Sequence, residues 1–496
     1  MRKPLPILYN VFLLTAVNLL MRFLSTTFQV HLSGKIGAEG IGLLQLVLST
    51  GFMAMTAGMA GIRTTTMYLV AEELGKPQGN PQKVLRSCCI YSLLCSCAAS
   101  LLVFFLAPVI SQKWIGNPDT AGLLRMYCLF LPISCLCGVF TGFYTANKQI
   151  ITLSIVEIGE QLFSIGFSWT ALHFLTGNQT LTACRYVILG SCLGSCLTLG
   201  CLIFFLQRKK KPTTSNTPIS RRLLRTAVPL ALADDLRAGI STAENMLVPK
   251  RLAFYPSSLS PLADFGMVCG MVFPVIMFPA AILFSLNELL IPELARCGTA
   301  GSKKRIQYLA GRSLRISLLY GTFFCGLIFL LSDFLCMRLY HNPEAAKYMR
   351  IFSLLIPMLY CDSVTDAMTK GLGQQKICVR YNIITSVLDL LLLYTLLPKY
   401  GLAGYFLSFL ISHALNFVLS LRRLLKITHI QLLWYVPLLA ISALLVAIGI
   451  SSFLVTPWLR VLSFSLIFLS ILSLLGILRK ENFLWFRNLL FPGAQE

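Results

Sequence analysis

Residues 7–30 read ILYNVFLLTAVNLLMRFLSTTFQV, an apolar run long enough to cross a hydrocarbon core of roughly 30 Å. Arg22 sits deep within it, among scattered amides and hydroxyls. At about 100° per residue, Thr15, Asn18, Arg22, Ser25 and Gln29 fall within an arc of about 80°. An ionisable group inside a span is expensive and turns toward a bundle interior or a watery cavity. The run therefore reads as a membrane helix with one polar side. Met-Arg-Lys precedes it as in a signal peptide, but no small-residue cleavage pattern follows, so it reads as an uncleaved first span.

The rest of the chain continues in the same way. Of 496 residues 56% are hydrophobic and 12% charged, about half the charge of an ordinary globular chain. Fourteen candidate spans lie between residues 7 and 478, among them 41–69, 265–291 and 349–369. The connections are short, and none has room for a catalytic domain. The fold class predicted is all-α, a polytopic membrane protein of about fourteen transmembrane helices.

The charge is basic, with 42 Lys and Arg against 19 Asp and Glu. No aromatic-interleaved basic module of the nucleic-acid kind accompanies it. The excess collects instead in alternate loops, which hold more than twice the Lys and Arg of the others. By the positive-inside rule both termini and the stretch RKKKPTTSNTPISRR at 208–222 are expected to be cytoplasmic. Nine of the seventeen cysteines, Cys88, Cys89, Cys95, Cys97, Cys128, Cys135, Cys137, Cys192 and Cys196, lie inside apolar segments, where a thiol acts as a small hydrophobe. The five histidines are scattered. Disulfides, a metal site and a cofactor are not expected. The absence of GxxxxGK[ST] argues against ATP hydrolysis by this chain.

The 208–222 stretch divides the chain. RMYCLFLPISCLCGVFTGFYTANKQ at 125–149 and RIFSLLIPMLYCDSVTDAMTKGLGQ at 350–374 align Arg125 with Arg350, Leu129 with Leu354, Pro132 with Pro357 and Gln149 with Gln374, all at one offset. Two six-helix lobes in parallel pseudo-repeat follow, a recurrent transporter plan. The expected organisation is an N-lobe at 1–207, a basic linker at 208–222, a C-lobe at 223–425, and a helix pair with tail at 426–496.

Two more spans carry stripes. Gln45, Ser49, Thr56 and Arg63 fall within about 40°, and Asp234, Arg237, Ser241, Glu244 and Asn245 within about 100°. Asp235 and Thr242 point elsewhere. Blander readings stand beside each: Arg63 is near enough to the inner end to snorkel, Asp234 and Arg237 are spaced to neutralise each other, and Glu244 can pair with Lys250 or Arg251. Glu157, Glu160, Asp362, Asp366 and Asp389 share no tidy stripe. Pro132, Pro274, Pro279 and Pro357 are expected to kink or break spans. Gly138-x-x-x-Gly142 and Gly190-x-x-x-Gly194 mark close helix contacts.

MRFLSTTFQVHLSGKIGAEGIGLLQ, GIRTTTMYLVAEELG, LLRTAVPLALADDLRAGISTAENMLVPKRL, GLGQQK and KYGLAGYFLS together resemble the polysaccharide-exporter branch of the multidrug/oligosaccharidyl-lipid/polysaccharide superfamily, in particular its stage V sporulation protein B group. The resemblance implies a V-shaped pair of six-helix lobes with an extra C-terminal helix pair. It implies a bacterial plasma-membrane flippase that moves a polyprenyl-diphosphate-linked saccharide from the inner to the outer leaflet. In the peptidoglycan relatives cavity arginines meet the diphosphate, and Arg22 matches the first of them; Gln29 stands where many members have a second. Arg63, Asp234, Asp235 and Arg237 depart from the common pattern and redistribute the cavity charge.

The residues expected to line a substrate cavity are Arg22, Asn18, Ser25, Gln29, Gln45, Arg63, Asp234, Arg237, Ser241, Glu244 and Asn245, with no catalytic residue among them. The partners are membrane lipids and the lipid-linked saccharide, for a chain working as a monomer. A coupling ion stays open. The rival functions are a cation-coupled drug antiporter on the same fold and a membrane-embedded glycosyltransferase or polymerase.

Overall fold

The computed structural model describes residues 5–75, 80–147, 149–174, 180–207, 219–258, 260–431 and 435–477. Most of the 208–222 linker and the tail beyond 477 lie outside them. The chain is all-α: α1 Leu5–Met59, α2 Ile62–Leu74, α3 Pro81–Val109, α4 Ala121–Ala146, α5 Ile150–His173, α6 Thr180–Gln207, α7 Ile219–Leu252, α8 Pro261–Met267, α9 Phe273–Met277, α10 Ala280–Thr299, α11 Lys303–Leu335, α12 Pro343–Ser353, α13 Ile356–Gly371, α14 Gln375–Tyr400, α15 Leu402–Thr428, α16 Tyr435–Ser452 and α17 Pro457–Leu474.

Among the described residues nine helices are long and apolar enough to span a membrane, or eleven when each of two bent pairs is taken as one span. The fourteen expected from the sequence are not confirmed as a count. The shortfall has physical reasons. The stretch Leu19–Leu74 counts once although its 56 residues far exceed one crossing. The helices α5 and α7, at 24 and 34 residues, are long enough but carry Glu157, Glu160, Asp234, Asp235, Arg237 and Glu244.

The chain forms two compact units. One joins the first arm of α1, up to Gly34, to the chain from Arg251 onward; the other is Lys35–Lys250. The opening helix of each sequence half thus counts with the helices of the other half. The first crossover lies beside Gly37, whose φ of 68° and ψ of −178° belong to a region that side chains bar to other residues. The second crossover follows Pro249.

In the 35–250 unit, α3 packs on α4, α5 on α6, and α2 on both α3 and α4. Ile62, Leu69, Val84, Cys88, Val139, Phe143, Tyr144 and Leu202 form its core. Both GxxxG pairs make close contacts: a Cβ on Gly142 would press on the Arg63 carbonyl, and one on Gly190 on the Ser168 hydroxyl. Pro132 lies inside a continuous α4. All seventeen cysteines are free thiols.

In the other unit α14 packs on α15, α11 on α13, and the C-terminal pair α16 and α17 on α11. Phe323 of α11 meets Phe464 and Phe468 of α17 at centroid distances of 5.7 and 5.9 Å. Two spans are broken here. The segment Pro261–Met277 meets Ala280–Gly298 at 61°, and Pro343–Ser353 meets Ile356–Gly371 at 52°. Each break adjoins a proline, Pro279 and Pro357, which lacks an amide N–H and disfavours helical geometry in the residue before it. The expected breaks appear at those two sites, whereas Pro132, which shares one offset with Pro357, lies in an uninterrupted helix.

Candidate functional site

Arg22 belongs to the same unit as both broken spans. A break leaves carbonyls without their helical donors, and inside a membrane each must find another. Tyr360 of α13 donates its hydroxyl to the Ile276 carbonyl at 2.8 Å, and Tyr320 of α11 donates to the Pro279 carbonyl at 2.8 Å. The two rings stack at 5.9 Å. Arg22, half-buried on the first arm of α1, lies within electrostatic reach of Tyr360. It forms no ion pair with a carboxylate of its own unit among the described residues.

Two turns further on, Gln29 donates its side-chain amide to the Gly270 carbonyl at 3.1 Å. Gly270 belongs to a π-helical turn, Val268–Val272, between α8 and α9. Such turns free a carbonyl from the regular ladder. The bond pins the striped face of α1 to the broken span. Ser25 is exposed on the same arm, and the Asn18 side chain lies outside the described residues.

The other two stripes belong to the 35–250 unit. On α7, Ala231, Ala238, Thr242 and Met246 are buried and form the packed face. Thr242 donates to the Ser49 carbonyl at 3.1 Å, and Asn245 donates its amide to the Ser49 hydroxyl at 3.1 Å. These bonds turn Asp234, Arg237 and Ser241 to the exposed face. Asp234 lies within electrostatic reach of Arg237, yet no direct ion pair joins them. Glu244 and Gln45 are half-buried. The cations paired with Glu244 in the bland reading go elsewhere: Lys250 donates to the Lys113 carbonyl, and Arg251 to the Tyr394 carbonyl. Arg63 is exposed on α2 and neighbours Glu157.

The carboxylates without a stripe acquire partners through packing. Glu160 accepts from Ser195 at 3.2 Å and Thr198 at 2.7 Å. Asp389 accepts from Ser408 at 2.7 Å and Ser412 at 3.0 Å. Asp362 takes the Asn416 amide on both oxygens at 3.0 Å, with His413 Nδ1 at 3.9 Å. A sequence signal for the last two did exist. Ser408, Ser412, Asn416 and Ser420 recur at i,i+4 on α15 and are all buried. Among the described residues no group of three His, Cys, Asp or Glu could hold a metal ion.

Comparison with known proteins gives two family matches, "Polysaccharide biosynthesis protein" over residues 7–241 and MatE over residues 260–395. The chain is 21% identical over 445 residues to stage V sporulation protein B of Bacillus subtilis strain 168, covering 86% of this chain and 85% of that one. It is 19% identical over 404 residues to sporulation protein YkvU of the same organism, covering 78% and 87%. Among solved structures it superposes on the lipid II flippase MurJ, inward closed, with TM-score 0.68 and 14% identity over 94% of this chain and 98% of that one. It also superposes on an inward-facing multidrug-resistance MATE transporter with TM-score 0.65 and 12% identity, covering 83% and 98%. The structural likenesses establish the fold. The sequence matches, the polysaccharide biosynthesis model over residues 7–241 and stage V sporulation protein B over 86% of this chain, bear out the resemblance to the polysaccharide-exporter branch of the superfamily.

Proposed function

We propose that this multi-pass membrane transporter flips a polyprenyl-diphosphate-linked saccharide, carrying the head group from the inner to the outer leaflet of a bacterial plasma membrane. The single observation that carries the reading is Arg22: a half-buried guanidinium in a span, within electrostatic reach of Tyr360, with no ion pair to a carboxylate of its own unit among the described residues. A diphosphate suits such a group, because the planar fork makes charge-assisted, often bidentate bonds to phosphoryl oxygens. Ser25 and Gln29 lie on the same arm.

Alternating access by two six-helix lobes, 1–207 and 223–425, fits this reading. The broken spans at Pro279 and Pro357 are joints where helices reorient, and at the first of them the Tyr360 and Tyr320 hydroxyls bond the Ile276 and Pro279 carbonyls. Both termini and the 208–222 linker are cytoplasmic in this scheme, and the chain acts as a monomer.

A second reading, cation-coupled drug antiport, is favoured by Glu160, Asp389 and Asp362, three intramembrane carboxylates each held by hydroxyl or amide donors. The experiment that separates the two offers purified protein in liposomes several undecaprenyl-linked saccharides and, in parallel, drug substrates under an imposed ion gradient. Head-group translocation, with or without the gradient, supports flipping. Drug export that fails when Asp362 or Asp389 is neutralised supports antiport.

A further inference from the structure

We propose that an open cleft lined by α11, α13, α15 and the start of α16 binds an anionic phospholipid, with one acyl chain inside and the phosphate on Arg315. The cavity has a volume of about 380 Å³. Its walls are almost wholly apolar: Leu314 and Leu318 from α11, Met358 from α13, Phe417 and Leu421 from α15, and Val436 from α16. Two polar residues reach it, Arg315 and Gln431.

The position of Arg315 identifies the ligand. It stands on the same α11 face as Gly311, Leu314 and Leu318, so its guanidinium shares the lining with a surface suited to hydrocarbon. It is half-buried and has no acidic partner among the described residues. The helix begins with Lys303, Lys304 and Arg305, about 18 Å before Arg315 at 1.5 Å per residue. From Ile316 to Leu331 no charged residue follows. Arg315 is therefore the last cation before hydrocarbon depth, where a phosphate meets its acyl chains. The far wall ends in the same way, with Arg422, Arg423 and Lys426 after Leu421 on α15. A cation at the boundary with an apolar chamber beside it matches an amphiphile carrying one negative head. A neutral lipid would leave the guanidinium without a counter-charge.

The site is also built to be structural. Its roof is the start of α16, which packs on α11, so a lodged chain would fill the joint between the C-terminal helix pair and the rest of its unit. No member of the Arg22 stripe lines it, and the inference stands whatever head group the transporter carries.

The test is native mass spectrometry of the full chain in mild detergent, titrated with phosphatidylglycerol and with phosphatidylcholine of identical acyl chains. The wild type should retain phosphatidylglycerol selectively. Arg315→Gln should weaken that binding about tenfold, as expected for one charge-assisted contact, and Arg315→Lys should recover part of it. Leu318→Trp, which fills the chamber, should remove binding of both lipids, while Arg338→Gln at the opposite end of the span should change nothing. Thermal unfolding of each variant separates lost binding from lost folding. Equal retention of the two lipids, or unchanged selectivity in folded Arg315→Gln, would overturn the proposal. So would displacement of phosphatidylglycerol by equimolar undecaprenyl phosphate, which would assign the chamber to the transported lipid.

Discussion

Gln29 and Gly270 are 241 positions apart, yet the Gln29 amide donates to the Gly270 carbonyl at 3.1 Å. Through this bond a residue on the first helix caps a π-helical turn in a broken span, and the arm bearing Arg22 is held against that span. Gln29→Leu should leave the carbonyl without its donor. Hydrogen bonds between membrane helices average about 0.6 kcal/mol, so the protein should still insert and accumulate, with a slightly lower melting temperature. Transport should fall several-fold because Arg22 loses its fixed position. Parallel measurement of protein level and flipping rate checks this; a fall in level that accounts for the whole loss of transport would contradict it.

The Tyr360 hydroxyl has the same task at Ile276. Tyr360→Phe removes the donor and keeps the ring, at an expected stability loss of about 1 kcal/mol. Its stacking on Tyr320 survives, so the melting temperature should drop by only a few degrees. A collapse in expression would show that the hydroxyl does more than satisfy that carbonyl.

Glu73 is 3% exposed and is held by Arg222 and by the backbone N–H of Asn80. Arg222 also pairs with Glu72. Removing Arg222 takes a cation from the buried Glu73 carboxylate, which keeps its Asn80 contact, and because Arg222 itself is partly exposed the penalty should be about 1–2 kcal/mol. Arg222→Ala should lower the melting temperature markedly, and Arg222→Ala with Glu73→Gln should regain most of it. Absence of that rescue would mean the ion pair is not what joins α2 to the start of α7.

Asn416 serves both oxygens of Asp362. Asn416→Leu should therefore destabilise the protein more than Asp362→Asn, since the first leaves a buried carboxylate without its amide donor. The double variant Asp362→Leu, Asn416→Leu should be more stable than Asn416→Leu alone. Additive losses in this cycle would rule out a direct coupling.

Much of the fold was legible in the sequence because bilayer physics leaves large signals. Low charge and recurrent apolar runs gave an all-α membrane protein; on α7 the exposed Asp234, Arg237 and Ser241 lie away from the buried Thr242, while Asn245 of the same stripe joins Thr242 at Ser49. What was not legible depended on packing. A proline motif alone does not say whether a helix bends: Pro132 lies in an unbroken α4, while Pro357 adjoins a 52° break. The grouping of the first arm of α1 with the chain beyond Arg251 has no local signature except Gly37. Asp362 and Asp389 were set aside because their partners are on α15, and only the i,i+4 series from Ser408 to Ser420 hinted at them.

The central claim is that Arg22 is the main anion contact of the transported head group. The direct measurement is translocation of undecaprenyl-diphosphate-linked saccharides by purified Arg22→Ala and Arg22→Lys in liposomes, at matched protein incorporation. Losing a hydrogen-bonded charge contact costs about 2–5 kcal/mol, a rate loss of roughly thirtyfold or more. Arg22→Ala should therefore be nearly inactive while folded, and Arg22→Lys should recover only part, keeping the charge without the planar fork. Normal flipping by stable Arg22→Ala protein would contradict the account, as would recovery of both folding and transport when a carboxylate such as Asp234 or Glu244 is neutralised as well.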